Sequence, residues 1–172
     1  SFFELLTVIS VWYFNKTEVD YCILETGLGG KFDSVTACEN QGLIYTPISM
    51  DHHSLLGNTL SLIATNKAKA INQNTQFIFS TTQSLIAKNI LIKEANKQNL
   101  TIRFKNKISD NISLKNLYGI HQIQNADLSK NVINYLNKEE IINIDIKDIN
   151  KGIENTVWPG RFQIINKNPL II

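Results

Sequence analysis

Apolar residues arrive in short bursts along the chain, set apart by polar punctuation, and the spacing of each burst predicts its element. Ser1 and Glu4 have the S-x-x-E spacing of a capping box. Phe2, Phe3, Leu5, Leu6, Val8, Ile9, Val11 and Trp12 follow, which predicts a well-buried helix to about residue 14. Residues 15–18 form the turn, and the unalternating run 19–24 (VDYCIL) predicts a parallel strand covered on both faces. The glycines of Gly27-Leu28-Gly29-Gly30 break it. Residues 43–48 (LIYTPI) predict a second strand, which Pro47 should end or bulge early. A helix over 59–71 should bury Leu60, Ile63, Ala64 and Ala68. Strand 76–80, a helix over 82–98 with Leu85, Ile86, Ile90, Ile92 and Ala95 inward, and strand 100–104 continue the alternation. Residues 105–118 are polar, with a small hairpin as one reading. Helices over about 121–137 and 146–155 and strands at 161–165 and 170–172 complete the pattern. Alternation of strand and helix implies an α/β fold, a mostly parallel sheet flanked by helices, with ligands beyond the carboxyl ends of the strands.

Composition narrows the class. The 172 residues are 43% hydrophobic and 19% charged, the balance of a chain that builds a globular core. No apolar run reaches the roughly 20 residues of a membrane helix, and a net charge of +2 gives nucleic acid no electrostatic footprint. Two cysteines, Cys22 and Cys38, make no disulfide framework, and residues 1–4 lack the basic leader of a signal peptide, so a cytoplasmic protein is expected. No initiator Met precedes Ser1, and Leu170-Ile171-Ile172 reads as the opening of a buried strand. The chain is therefore expected to be an internal stretch of a longer protein, with an ordinary domain with trimmed termini as the alternative.

Five segments carry chemistry. Glu25 closes a strand and is followed by glycines that let backbone N–H groups approach an anion. Neither phosphate motif fits: position 32 is Phe where G-x-G-x-x-G needs Gly, and Lys31 is followed by Phe32 rather than Ser or Thr. On spacing alone the run reads as a plain tight turn rather than a site. Asp51-His52-His53 follows the second strand and suits metal or acid–base work, or plain turn chemistry. The pairing of Glu25 with His52 at two strand ends suits Mg²⁺ beside phosphates. Lys67 is a solvated lysine if taken alone. Asn125 lies where a loop enters a helix and faces solvent or caps a turn on local grounds. Arg161 offers a planar fork suited to phosphate.

Together, and in order, the stretches SFFELLT, ILETGLGGKFD, SMDHHSLLGNTLSLIATNKA, GIHQIQNA and WPGRFQII resemble the folylpolyglutamate synthase/dihydrofolate synthase family of the Mur ligase superfamily. The resemblance spans nearly the whole chain; residues 72–118 share only its general character. It implies residues 1–172 are part of a central ATP-using domain, without the family's upstream phosphate loop or its C-terminal glutamate-binding domain. It implies an ATP- and Mg²⁺-dependent ligase, a cytoplasmic monomer, that adds L-glutamate to dihydropteroate or a reduced folate through an acyl phosphate, the isolated chain being inactive. The alternative is a degenerate module that keeps the fold and binds nucleotide or folate without turnover. Carried over residue by residue, Glu25 and His52 match magnesium ligands, Lys67 the lysine carbamylated in the family, and Asn125 and Arg161 nucleotide contacts. Phe2, Phe3, Glu4, Phe32, Asp33 and Ser34 match contacts to the pterin substrate. Ser34-Val35-Thr36 stands where the family has Ala-Thr-Asn, Asn66 where it has glutamate, and Lys69 where it has glycine.

Overall fold

The computed structural model describes residues 1–105, 108–109 and 112–171. It contains helix α1 (Phe2–Lys16), a 3-10 turn (Thr36–Cys38), strand β1 (Gly42–Tyr45), α2 (His53–Leu56), α3 (Leu60–Ala68), β2 (Phe77–Thr81), α4 (Leu85–Asn96), β3 (Ile102–Lys105), α5 (Ile120–Lys138), α6 (Ile146–Asn155), β4 (Asn166–Lys167) and β5 (Leu170–Ile171). β1, β2 and β3 lie side by side in that order as a parallel sheet flanked by helices, with α3 and α4 as the crossovers. β4 and β5 form a separate antiparallel pair, Asn166 opposite Ile171 and Lys167 opposite Leu170. The chain divides into two compact units, one of residues 1–78 and 83–103, the other of residues 79–82 and 104–172.

In the first unit α3 packs against α4. Ile63, Ala64 and Ala68 on α3 are buried, as are Ala87, Leu91 and Ala95 on α4. The alanines let the two helix backbones come close, and Ile63 and Leu91 fill the remaining space. Side chains cap both helices: Thr59 accepts from the Leu62 amide and Ser84 from the Ala87 amide. Glu94, the acid on the inner side of α4, accepts from Lys69 Nζ at 2.7 Å and Lys97 Nζ at 2.6 Å. Burial pushes its carboxyl up, but the two lysine hydrogen bonds outweigh that and hold it below its ordinary value. Lys69 is raised by the same bond.

In the second unit α5 packs against α6, and Leu128, Val132 and Ile149 are buried. Phe79 meets Tyr135 with ring centroids 5.3 Å apart. Asp127 is a carboxylate only 1% exposed. Its Oδ2 lies 3.4 Å from Lys105 Nζ and accepts the Ser109 amide, which ties the segment after β3 to α5. Its Oδ1 has no hydrogen-bond partner among the described residues.

Several expectations hold. The Ser1–Glu4 capping box is formed, and α1 follows it. β1 stops at Tyr45, ahead of Pro47, and the helices over 59–71, 121–137 and 146–155 are present with their ends shifted by a few residues. Others need correction. α1 is not well buried: apolar side chains surround it, Phe2 is 77% exposed and only Thr7 is buried, because the described residues cover a single side of the helix. Residues 19–24 form no strand, and Ile23 is 93% exposed; a strand needs a neighbour's N–H and C=O groups, and no described segment offers them. On α4 the inward face is Ala87, Leu91 and Ala95, while Leu85 is 73% exposed and Ile86 is exposed too; the large side chains suggested one face and the close α3 contact selected another. Residues 161–165 form no assigned strand: the chain bends at 161–162, where Gly160 and Phe162 take positive φ (76° and 51°). The hairpin at 105–118 falls partly on residues outside those described, and the described ones there form no strand beyond the end of β3. Cys22 and Cys38 are free thiols, and burial raises that of Cys38. No described helix is long and apolar enough to cross a membrane.

Two outcomes follow from this packing. Leu91→Ala should cost about 3 kcal/mol in urea unfolding, the range for a fully buried leucine, and Leu85→Ala less than about 1 kcal/mol. Equal losses would mean that the inward face of α4 is misplaced. Glu94→Gln should cost about 1 kcal/mol at pH 7. Because the folded carboxyl sits below its ordinary value of 4.5, the wild-type advantage is complete above that value. It is lost as pH falls through the lowered one. Unfolding curves for both proteins taken down that range should converge.

Candidate functional site

The first unit holds the glycine turn, the Asp51-His52-His53 run and Lys67. Glu25 lies exposed in an extended but unpaired segment, so it does not close an assigned strand. The turn after it seats on α3. Gly29 has φ +72°, a conformation that favours glycine, and a Cβ there would stand 2.4 Å from Asn66 Oδ1. A Cβ on Gly30 would stand 2.6 Å from the carbonyl oxygen of Lys67. The glycines therefore serve close approach of backbone to helix. The turn's amides are also engaged: Leu28 N–H donates to Asp33 Oδ2 at 2.8 Å, and Gly30 and Lys31 N–H donate to Asn66 Oδ1 at 3.1 and 3.4 Å.

Asp33 is buried and spends its other oxygen on the Val35 amide at 2.9 Å, so its carboxylate organises the loop. Ser34 shares a 2.8 Å hydrogen bond with Thr7 on α1. The Phe3 ring lies against Gly27, where a Cβ would come within 2.6 Å of it. Phe3, Ser34 and the glycine turn are thus brought together. Phe2 and Phe32 are exposed, and Glu4 closes the capping box on Ser1.

His52 does not follow β1 directly, because residues 46–50 intervene. It takes a left-handed conformation (φ 50°, ψ 35°) at the start of α2, uncommon for a side-chain-bearing residue. Asp51 Oδ1 accepts its N–H at 2.8 Å, and Asp51 Oδ2 lies 3.6 Å from its Nε2. Its carbonyl accepts from Leu55 and Leu56. Among the described residues no group of three or more His, Cys, Asp or Glu is arranged to hold a metal ion. Glu25 and His52 are both exposed, and a carboxylate and an imidazole open to solvent are donor types compatible with a hydrated cation rather than with one held in a protein cage. Lys67 is half-buried on α3; its carbonyl accepts the Tyr45 hydroxyl at 3.1 Å, and its ammonium makes no ion pair among the described residues. Burial pushes the Tyr45 hydroxyl far above its ordinary range, so it stays a donor.

The remaining two residues lie in the second unit. Asn125 is half-buried on α5, and its carbonyl accepts the Ser129 hydroxyl. Arg161 is exposed in a turn closed by its own amide on the Trp158 carbonyl and by Gln163 on the Gly160 amide. Sequence reasoning missed Tyr45 as a brace and took Asn66 only as a departure. A polar side chain one position before Lys67, with two glycines upstream that need a partner, was the available signal for Asn66.

A parallel α/β sheet with a glycine turn docked on a lysine-bearing helix defines the class of domain as α/β, and comparison with known proteins narrows it. The chain is 31% identical to the dihydrofolate synthase/folylpolyglutamate synthase of Bacillus subtilis over 97% of its own length and 44% of that protein. It is 31% identical to the dihydrofolate synthetase of Saccharomyces cerevisiae over 92% of its length and 41% of that protein. The apo form of L. casei folylpolyglutamate synthase superposes with TM-score 0.86 at 23% identity, covering 98% of this chain and 46% of that one. The Mycobacterium tuberculosis enzyme, solved with ADP and AMPPCP, gives 0.82 at 23% identity, with 98% and 43% covered. No protein-family model matches. The chain is thus similar to folylpolyglutamate and dihydrofolate synthases along nearly its whole length, and it spans less than half the length of the curated relatives it matches.

The two kinds of glycine in the chain should respond oppositely. Gly152, inside α6 with open space around it, should gain about 0.8 kcal/mol on Gly152→Ala from helix propensity. Gly30→Ala should lose stability, since its Cβ would meet backbone that cannot swing aside. Thermal unfolding of both variants reads the contrast, and a neutral Gly30→Ala would refute the seating of the turn.

Proposed function

We propose that the chain is part of the central ATP-using domain of a ligase that adds L-glutamate to dihydropteroate or a reduced folate. The near-complete match to the Bacillus subtilis synthase carries the reading. In the proposed reaction a carboxylate oxygen of the pteroate or folate attacks the γ-phosphorus of ATP, and ADP leaves. The glutamate amine then attacks the acyl carbon of the acyl phosphate. Inorganic phosphate departs, the amine loses a proton, and an amide remains. Magnesium, when bound, would neutralise charge on the phosphates.

In this scheme Glu25 and His52 hold the cation, and both present their side chains to solvent, where a hydrated ion and a phosphate can reach them. Lys67, carbamylated, would offer a carboxylate in place of an ammonium. Asn125 and Arg161 would contact the nucleotide, and the exposed guanidinium of Arg161 has the geometry for it. Phe3 and Ser34, brought together at the glycine turn, support a pterin surface there with Phe2, Glu4, Phe32 and Asp33 around it.

Calorimetric titration with Mg²⁺ and a non-hydrolysable ATP analogue tests this, on residues 1–172 and on a longer version carrying a phosphate-loop segment. The longer version should bind and ligate glutamate, and residues 1–172 alone should not turn over. Within the longer version Glu25→Ala should lower ligation by about 100-fold with its circular dichroism unchanged. A fully active Glu25→Ala would refute the metal assignment, and ligation by residues 1–172 alone would refute the need for a phosphate loop.

A further inference from the structure

One side-chain oxygen does the work of an anion at the glycine turn. Asn66 Oδ1 accepts the N–H of Gly30 at 3.1 Å and that of Lys31 at 3.4 Å, two successive amides converging on one point. Asn66 is half-buried and sits on α3 immediately before Lys67. The backbone contact beside it is close, with the Gly30 Cα facing the Lys67 carbonyl oxygen and leaving no room for a Cβ. That same carbonyl is held from the other direction by the Tyr45 hydroxyl on β1. Helix, strand and turn therefore meet at residues 66 and 67.

We propose that Asn66 is a positioning residue that fastens the turn after Glu25 to the helix carrying Lys67, and so sets the spacing between the Glu25 segment and Lys67. An amide oxygen suits the task. It accepts two N–H groups at once and brings no charge to the site. The glycines are what bring their amides within reach of it. The consequence for a metal rests on the proposed roles of Glu25 and Lys67; the fastening itself stands on the hydrogen bonds and the backbone contact.

The test uses the whole ¹⁵N-labelled chain and reads two quantities, amide exchange at Leu28, Gly30 and Lys31 and the midpoint for Mn²⁺ binding. In Asn66→Ala, Gly30 and Lys31 should exchange about tenfold faster, the loss of an ordinary hydrogen bond, while Leu28, held by Asp33, is unchanged. The Mn²⁺ midpoint should rise about tenfold, as when a residue that orients a ligand is removed. Asn66→Asp keeps an acceptor at the same reach and should restore slow exchange; its added charge acts on Mn²⁺ directly, so only its exchange is read. Unchanged exchange at Gly30 and Lys31 in Asn66→Ala overturns the fastening. Faster exchange with an unchanged Mn²⁺ midpoint overturns the positioning role and leaves a merely structural bond. A wild-type chain that binds no Mn²⁺ overturns the positioning role for a metal in this chain, and the exchange measurement then decides the fastening alone. Should Asn66→Ala lose its helical circular dichroism, Asn66→Ser, too short to reach the turn, takes its place on the same readouts.

Discussion

The seating of a glycine turn against the backbone of α3 is the constraint that orders the first unit. Gly30 can approach the Lys67 carbonyl only because it has no side chain, and Gly29 can take its left-handed φ beside Asn66 for the same reason. Once the turn is seated, α3 is fixed on that side by Asn66 and from β1 by Tyr45. On its other side the small residues Ala64 and Ala68 let it lie close to Ala87 and Ala95 of α4. Lys69 then reaches Glu94 across that contact. Lys67 is thus carried by a helix gripped on several sides, which is what a positioned side chain needs and what a solvated surface lysine lacks.

Much of this was legible in the sequence where local rules decide the outcome. The capping box at Ser1, the early stop before Pro47 and the helical periods over 59–71, 121–137 and 146–155, present with shifted ends, each rest on interactions within a few residues. Elements that depend on distant partners were not. Residues 19–24 have the composition of a buried strand, yet pairing is a property of two segments, and the described chain supplies only one. On α4 Ala95 is inward as expected, but Leu85 and Ile86 are exposed, and the buried face is completed by Ala87 and Leu91, which the close contact with α3 selects. At 161–165 the β-branched residues suggested a strand, and the positive φ at Gly160 and Phe162 prevents one.

The site was legible as residue types and illegible as hydrogen bonds. Glycines after a carboxylate announce close backbone approach without saying whether the thing approached is a ligand or the protein itself. Here it is the protein. Asp33 shows the same ambiguity: a carboxylate beside a candidate substrate surface, with its oxygens given to Leu28 and Val35. His52 was noticed for its ring, whereas its left-handed backbone and its bond from Asp51 say more about why that ring is held where it is.

These assignments bear on how a phosphate could be bound. A loop that cradles phosphate must present unpaired N–H groups. The amides of Leu28, Gly30 and Lys31 already have acceptors in Asp33 and Asn66. A phosphate entering the turn would have to displace a half-buried amide side chain and leave its oxygen seeking other donors, at the cost of a hydrogen bond for each amide taken. The failure of both phosphate motifs in Gly27–Phe32 and the occupied amides of the turn therefore say the same thing by different routes. What the turn does within its own unit is hold the chain after Glu25 against the helix that carries Lys67.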